Sequence, residues 1–225
     1  MIIIDTETTG LNPVRDNLLQ VSIIDENGET LFDSYVKPDC SEWPEAMAVN
    51  NITPEMVADA PKFEELRESV QEIVDSAECI AGYNTYFDIA FLRENGIYFR
   101  NGLHVIDVMT QFAEIYGEWS TKNMNWKWQN LTTAAAYYTY RWPSAAHNSL
   151  SDCLATLYVY NCIKDKGKRP RPLESFEVVE MLEMLRDSMR KTGNEKIVGV
   201  DGIKYESAIF VLNEAIKLIK YYQIL

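Results

Sequence analysis

The chain has no apolar run approaching the roughly 18 residues that a membrane-spanning helix requires, so no transmembrane segment is expected. It is short of positive charge: 21 Lys and Arg stand against 34 Asp and Glu, for a net charge of −13. That deficit argues against a protein that coats long nucleic acid, because phosphate contacts rest on Lys and Arg. It leaves room for one that holds a few nucleotides through bound cations. Cys40, Cys79, Cys153 and Cys162 show neither a Cys-x-x-Cys pair nor Cys/His ligand spacing, so reduced thiols in a cytoplasm are expected. Met1 leads directly into three isoleucines and Asp5, with no basic leader, apolar core segment or cleavage site, so no segment is expected ahead of the core. There is no internal repeat and no low-complexity tract.

What remains suits one well-buried α/β domain with an appendage. Residues 2–5 read as a buried strand that ends at its first carboxylate, and 18–24 as a second strand. Asp25-Glu26-Asn27-Gly28 is a strong turn signal ahead of a third strand over 30–36, which makes an antiparallel meander. Helical periodicity over 63–74 precedes a short strand at 79–82. A helix over 85–95, stopped by Gly96, precedes a strand at 103–107, and helices follow over 131–138 and 149–163. Three antiparallel strands followed by strands alternating with helices predict a mixed sheet covered on both faces. The charged, Gly- and Pro-rich stretch 164–172 reads as a linker. It divides a domain over 1–163 from a mostly helical appendage over 173–225, with helices expected over 174–191 and 207–222 and a short β segment at 197–205.

Four carboxylates and one imidazole carry the chemistry: Asp5 and Glu7 in IIIDTETTGL, Asp88 in AGYNTYFDIAFL, and His147 and Asp152 in SAAHNSLSDCLATL. Asp5 and Glu7, two apart on a strand, point to the same face. A polar strand end facing water is the bland reading, but three preceding isoleucines imply a central buried strand. Carboxylates at its mouth then need a counter-cation. Asp88 falls in the first turn of a helix capped by Asn84 or Thr85 and reads as one outward carboxylate on an otherwise buried helix. His147 and Asp152 are five apart, about 500° on an ideal helix, which leaves them roughly 140° from one another. Both reach one site only if His147 precedes the helix, with Asn148 or Ser149 as cap. His104, beside a strand, reads as structural. All-oxygen ligands point to Mg²⁺ or Mn²⁺ rather than zinc, and the natural task of such a cluster is in-line displacement at a phosphodiester.

Together these residues resemble the DEDD-type exonucleases of the histidine subclass, the family of bacterial DNA polymerase proofreading subunits, ribonuclease T and oligoribonuclease. The first motif is matched by Asp5-Thr6-Glu7-Thr8-Thr9-Gly10-Leu11, the second by Asn84 through Asp88, and the third by His147 and Asp152. The resemblance covers residues 1–163. It implies a ribonuclease H-like fold, two divalent metals (Mg²⁺ or Mn²⁺) and stepwise 3′→5′ release of nucleoside 5′-monophosphates. By the same resemblance Asp5, Glu7 and Asp152 hold one metal, Asp5 bridges to a second that Asp88 supports through water, and His147 is the general base. Thr8, Thr9, Leu11, Asn84 and Phe87 are candidates to hold the terminal nucleotide, with core packing the alternative for Leu11 and Phe87. The segment from Val49 to Thr53 resembles the family's Val-His-Gly-Ile-Thr with Asn50 in place of histidine, and Tyr83 replaces another common histidine. Both departures bear on substrate preference rather than on the metal ligands.

Trp119, Trp126 and Trp128, with Lys122 and Lys127, mix aromatic and basic residues; they read as a stacking platform for unpaired bases or as ordinary packing in a loop. The basic run from Lys164 to Arg171 reads as a downstream phosphate contact or a solvated linker. Three functions are therefore expected in order: a DNA 3′→5′ exonuclease on single-stranded or frayed ends; the same chemistry on short or structured RNA; or a binding subunit whose C-terminal tail docks a polymerase or helicase or self-associates.

Overall fold

The computed structural model describes residues 1–122, 124–142 and 148–165, together with five helical positions further on, Glu183, Arg186, Leu212, Asn213 and Ile216. Those five fall inside the two helices expected in the appendage. The remainder of the appendage, the linker beyond Asp165 and His147 lie outside the described residues, and Lys164, expected to open the linker, instead ends a helix. The chain divides into two compact units, Met1–Arg169 and Pro170–Leu225.

In the first unit, strand β1 (Ile2–Thr8) lies at the centre of a five-stranded sheet. On one side it pairs antiparallel with β2 (Leu18–Asp25), which pairs antiparallel with β3 (Thr30–Tyr35). On the other it pairs parallel with β4 (Cys79–Gly82), which pairs parallel with β5 (His104–Asp107) at the edge. The order is β3-β2-β1-β4-β5, the mixed sheet expected of a ribonuclease H-like fold.

Between β3 and β4 lie α1 (Pro44–Asn50), α2 (Pro54–Val57) and α3 (Phe63–Ser76). Helix α4 (Thr85–Glu94) joins β4 to β5, and α5 (Val108–Tyr116) follows β5 without a break. The short hairpin of β6 (Trp119–Ser120) and β7 (Asn125–Trp126), then α6 (Leu131–Tyr137) and α7 (Ser149–Lys164), complete the unit. Among the described residues no helix is long and apolar enough to cross a membrane.

Alternation along β1 builds two cores. Ile2 and Ile4 pack with Val70, Val74, Phe91 and Leu92 of α3 and α4. Ile3 packs with Phe112, Ala134, Cys153 and Leu157 of α5, α6 and α7. Burying each isoleucine contributes about 1.5–3 kcal/mol, which anchors β1 between the two cores.

Three helices absent from the sequence pattern, α1, α2 and α5, are present. Helices α1 and α2 each begin on a proline at the first turn, where the missing N–H costs nothing. Helix α5 is capped by Asp107, whose side chain accepts from the Met109 N–H at 3.0 Å. The tryptophan segment expected as a loop is instead the β6–β7 hairpin, with Trp119 edge-on to Trp126 at 5.0 Å.

Candidate active site

Asp5 and Glu7 share the face of β1 that carries Ile3, over which α7 lies. The strand runs past Asp5 as far as Thr8, so both carboxylates are fixed by sheet pairing rather than hung on a loop. Asp5 stands opposite Ser22 and Glu7 opposite Gln20, and the register slips immediately after Glu7. A bulge at that point ends the regular pairing beside the carboxylates.

Asp152, in the first turn of α7, comes to meet them. One oxygen from each of Asp5, Glu7 and Asp152 lies within 4.8 Å of the others. Two polar residues of β2 fix the entry to α7. Gln20 Oε1 accepts from Asn148 Nδ2 at 3.2 Å and from the Ser149 N–H at 3.3 Å, while its amide donates to Asp33 at 2.9 Å. Ser22 donates to the same Asp33 oxygen at 2.7 Å, so its hydroxyl accepts from Ser149. Asn148 caps the helix, its side chain accepting from the Ser151 N–H. Helix α7 thus begins at Ser149, as the separation of His147 and Asp152 requires.

Asp88 is not outward, as the helical pattern suggested. It is 2% exposed and faces β1, where Oδ1 accepts from the Thr6 N–H at 2.9 Å and the Thr6 hydroxyl at 2.8 Å. Thr6 points to the α4 side of β1 and draws the carboxylate inward. Asn84 precedes the helix with φ 68, its N–H donating to Asp107 Oδ1 at 3.1 Å; its side chain makes no cap.

The loop after β1 is held by its own threonines. The Thr8 hydroxyl donates to the Gly10 carbonyl at 2.6 Å, and the Thr9 hydroxyl accepts from the Asn17 N–H at 2.8 Å. A Cβ at Gly10 would meet the Asp16 carboxylate and force it aside from the Asn12 N–H that donates to it. Leu11 projects from this loop, 85% exposed, which removes the core-packing alternative for it. Phe87 is half-buried against the α3–α4 core, its ring 4.9 Å from that of Phe91.

Asn50 is a residue whose role the sequence hid. At the end of α1 it is buried, donates to the Thr8 carbonyl at 3.2 Å and accepts from the Ile52 N–H at 3.1 Å. Its side chain also lies near enough to Glu7 to favour that residue's ionised form. Asn51 follows at φ 59, a left-handed position that asparagine tolerates where the family pattern has glycine.

Crowding shows in the ionisation of the cluster. Burial, then Asp88, Asp152 and Glu7, raises the Asp5 carboxyl well above its ordinary range. Burial and Asp152 push Glu7 up to about 8, against the lowering effect of Asn50. Burial pushes Asp88 up to about 7, with the Thr6 hydrogen bonds opposing. Among the described residues no Lys or Arg forms an ion pair with Asp5 or Glu7. Facing carboxylate oxygens that resist ionisation for want of positive charge fit a hard divalent cation.

The sign of the pH effect follows. Without metal, the native cluster keeps protons that the unfolded chain releases above about pH 4, so stability falls as pH rises. In chelator, the melting temperature is expected to drop most steeply from about pH 5 to 7, where the unfolded carboxylates are ionised and native Asp88 and Glu7 still hold protons, and less steeply through pH 7 to 8; Mn²⁺ should flatten that slope. Thermal melts across pH, with and without Mn²⁺, check this; a melting temperature that rises over the same range refutes the crowded cluster.

A family model described as RNase_T, Exonuclease, matches residues 2–160. The chain is 29% identical over 176 residues to "Uncharacterized exonuclease CP81" of Escherichia phage 186, covering 74% of this chain and 89% of that one. It is 33% identical over 100 residues to DNA polymerase III subunit epsilon of Haemophilus influenzae, covering 40% of this chain and 39% of that subunit. The solved structure of E. coli exonuclease I in complex with a dT13 oligonucleotide matches with a TM-score of 0.60 at 19% identity, covering 86% of this chain and 44% of that one. The chain thus spans most of the phage relative but about two-fifths of the other two.

Proposed function

The chain belongs to the RNase T-type exonuclease family, and from that premise we propose that residues 1–163 form a metal-dependent 3′→5′ exonuclease releasing nucleoside 5′-monophosphates from single-stranded or frayed DNA. The observation that carries the reading is the convergence of Asp5, Glu7 and Asp152 oxygens within 4.8 Å, carried to one point by β1 and α7. The dT13 oligonucleotide held by the exonuclease I neighbour supports DNA as the polymer.

Asp5, Glu7, Asp88 and Asp152 are the residues that would hold divalent cations, Mg²⁺ or Mn²⁺, which when bound supply charge neutralisation at the attacked phosphate and a more acidic water. His147 would take a proton from the attacking water as the water's oxygen bonds to phosphorus. The bond from phosphorus to the 3′-oxygen breaks, and that oxygen gains a proton to leave a new 3′-hydroxyl. The phosphate departs on the released nucleotide. Asn84 bonds its sugar or phosphate, while Leu11 and Phe87 meet the base. Thr8 and Thr9, their hydroxyls engaged within the loop, hold Leu11 in position.

RNA would be told from DNA only by contacts to the 2′-hydroxyl, so matched DNA and RNA oligomers belong in the same assay. With Mn²⁺, a single-stranded DNA is expected to shorten from its 3′ end into 5′-mononucleotides, and a bulky 3′ adduct should block this. Cleavage of a circular single strand would make the protein an endonuclease and end the proposal.

A further inference from the structure

An open groove of about 720 Å³ runs along the edge strand β5, from Asn84 and Tyr86 to Tyr160 and Lys164. Its volume lies within the roughly 300–1,000 Å³ of ligand pockets. Asn84, at one end of it, lies four residues before Asp88 in the chain. Three aromatic side chains line it, and two are well exposed, Tyr86 at 63% and Trp128 at 59%. Thr110 and Gln111 add polar groups, and Lys164 supplies a cation whose Nζ stands 5.7 Å above the Tyr160 ring. The one carboxylate in the lining, Asp107, is already engaged by the N–H groups of Asn84 and Met109.

Trp128 is held in place from both sides. The Tyr83 hydroxyl donates to the carbonyls of Gln129 at 2.9 Å and Asn130 at 3.2 Å, immediately after it. Immediately before it, the Lys127 N–H donates to the Glu118 carbonyl and its ammonium pairs with the Glu118 carboxylate, both at 2.8 Å. Tyr83 is adjacent to Asn84 in the chain, so one residue ties the tryptophan segment to the rim of the site. An exposed indole fixed at both flanks is a rigid face that loses little entropy on contact.

We propose that Trp128, with Tyr86, Tyr160 and Lys164, forms a second subsite that holds an unpaired base and its phosphate, one or more nucleotides upstream of the 3′ terminus bound at the carboxylates. The aromatic faces select single-stranded over paired substrate without reading sequence, since every base has a stacking face. This rests on the exonuclease reading above and adds to it a requirement for substrate length.

The test compares kcat/KM on long oligothymidylate with kcat/KM on a thymidine dinucleotide, which is too short to fill both subsites. In Trp128→Ala the ratio of long to short should fall about 5- to 150-fold, the range for one lost base stack. Trp128→Phe should restore much of it, and Tyr83→Phe, which keeps the ring but frees the segment, should lower the ratio by less than Trp128→Ala. An unchanged ratio in Trp128→Ala overturns the subsite and leaves the groove to a ligand of another class. An equal loss on both substrates also overturns it, by making Trp128 part of the fold or of the terminal site. If the unsubstituted protein hydrolyses neither oligomer, it is the exonuclease reading that fails.

Discussion

Replacing Asp5 by asparagine is expected to lower hydrolysis by more than about 100-fold, since loss of outer-shell partners of a metal site alone costs about 10–100-fold. The same substitution should raise the melting temperature of the metal-free protein. The two effects have one origin. Asp5 is buried among Asp88, Asp152 and Glu7, and its carboxyl is held well above the ordinary range. Among the described residues, no hydrogen-bond donor faces its carboxylate to offset the repulsion. Asparagine keeps the shape and removes the charge, and each kcal/mol recovered raises the melting temperature by about 2–4 °C for a protein of this size. The gain should be larger at pH 8 than at pH 6, because the neighbours ionise over that interval. A lower melting temperature in chelator would instead mark Asp5 as a structural partner, and the cation assignment would lose its strongest member.

His147→Ala is expected to reduce kcat by about 10²–10⁴-fold, the usual worth of a general base. Only the neutral imidazole accepts the proton, so the rate of the unsubstituted enzyme should fall on the acid side, near the ordinary value of about 6.5 as shifted by local charge. In the variant that acid limb should vanish from the pH profile. Stabilisation by Mn²⁺ should survive in thermal melts, because a base acts on the barrier and not on the assembly of the site. Loss of that stabilisation would turn His147 into a ligand. His104→Ala is the control: position 104 opens β5, so this substitution should leave the acid limb of the pH profile in place.

The central sheet was legible because its signals are local and strong. Three isoleucines in β1, an apolar β2 and the Asp25–Gly28 turn leave little choice of pairing, and the strand bounds observed differ from those expected by a few residues at most. The carboxylates were legible for a related reason: a charged residue in a buried pattern stands out. The supports were not. Gln20 and Ser22 look like ordinary polar interruptions until the register sets them opposite Glu7 and Asp5. Asn50 looked like a change in substrate contact, yet its amide secures the Thr8 carbonyl and its side chain lowers the Glu7 carboxyl. Asp88 was misdirected for want of Thr6, whose hydroxyl lies 82 positions away and decides which way the carboxylate turns. Helix α5 escaped because it follows β5 with no turn residue between them, and α1 and α2 because Met47, Val49 and Met56 leave apolar side chains facing water and blur the period.

The position of Asp152 has a consequence for how the protein is made. Asp5 leaves the ribosome well before Asp152, which sits on α7, and synthesis proceeds at about 5–20 residues per second. Until α7 lies down on β1 and β2, the emerging chain carries Asp5, Glu7 and Asp88 without Asp152, and on the ligand set proposed above it is expected not to cut. A degradative activity is thereby withheld until the domain that restrains it is complete, and any lesion that unseats α7 silences the enzyme rather than leaving it loose.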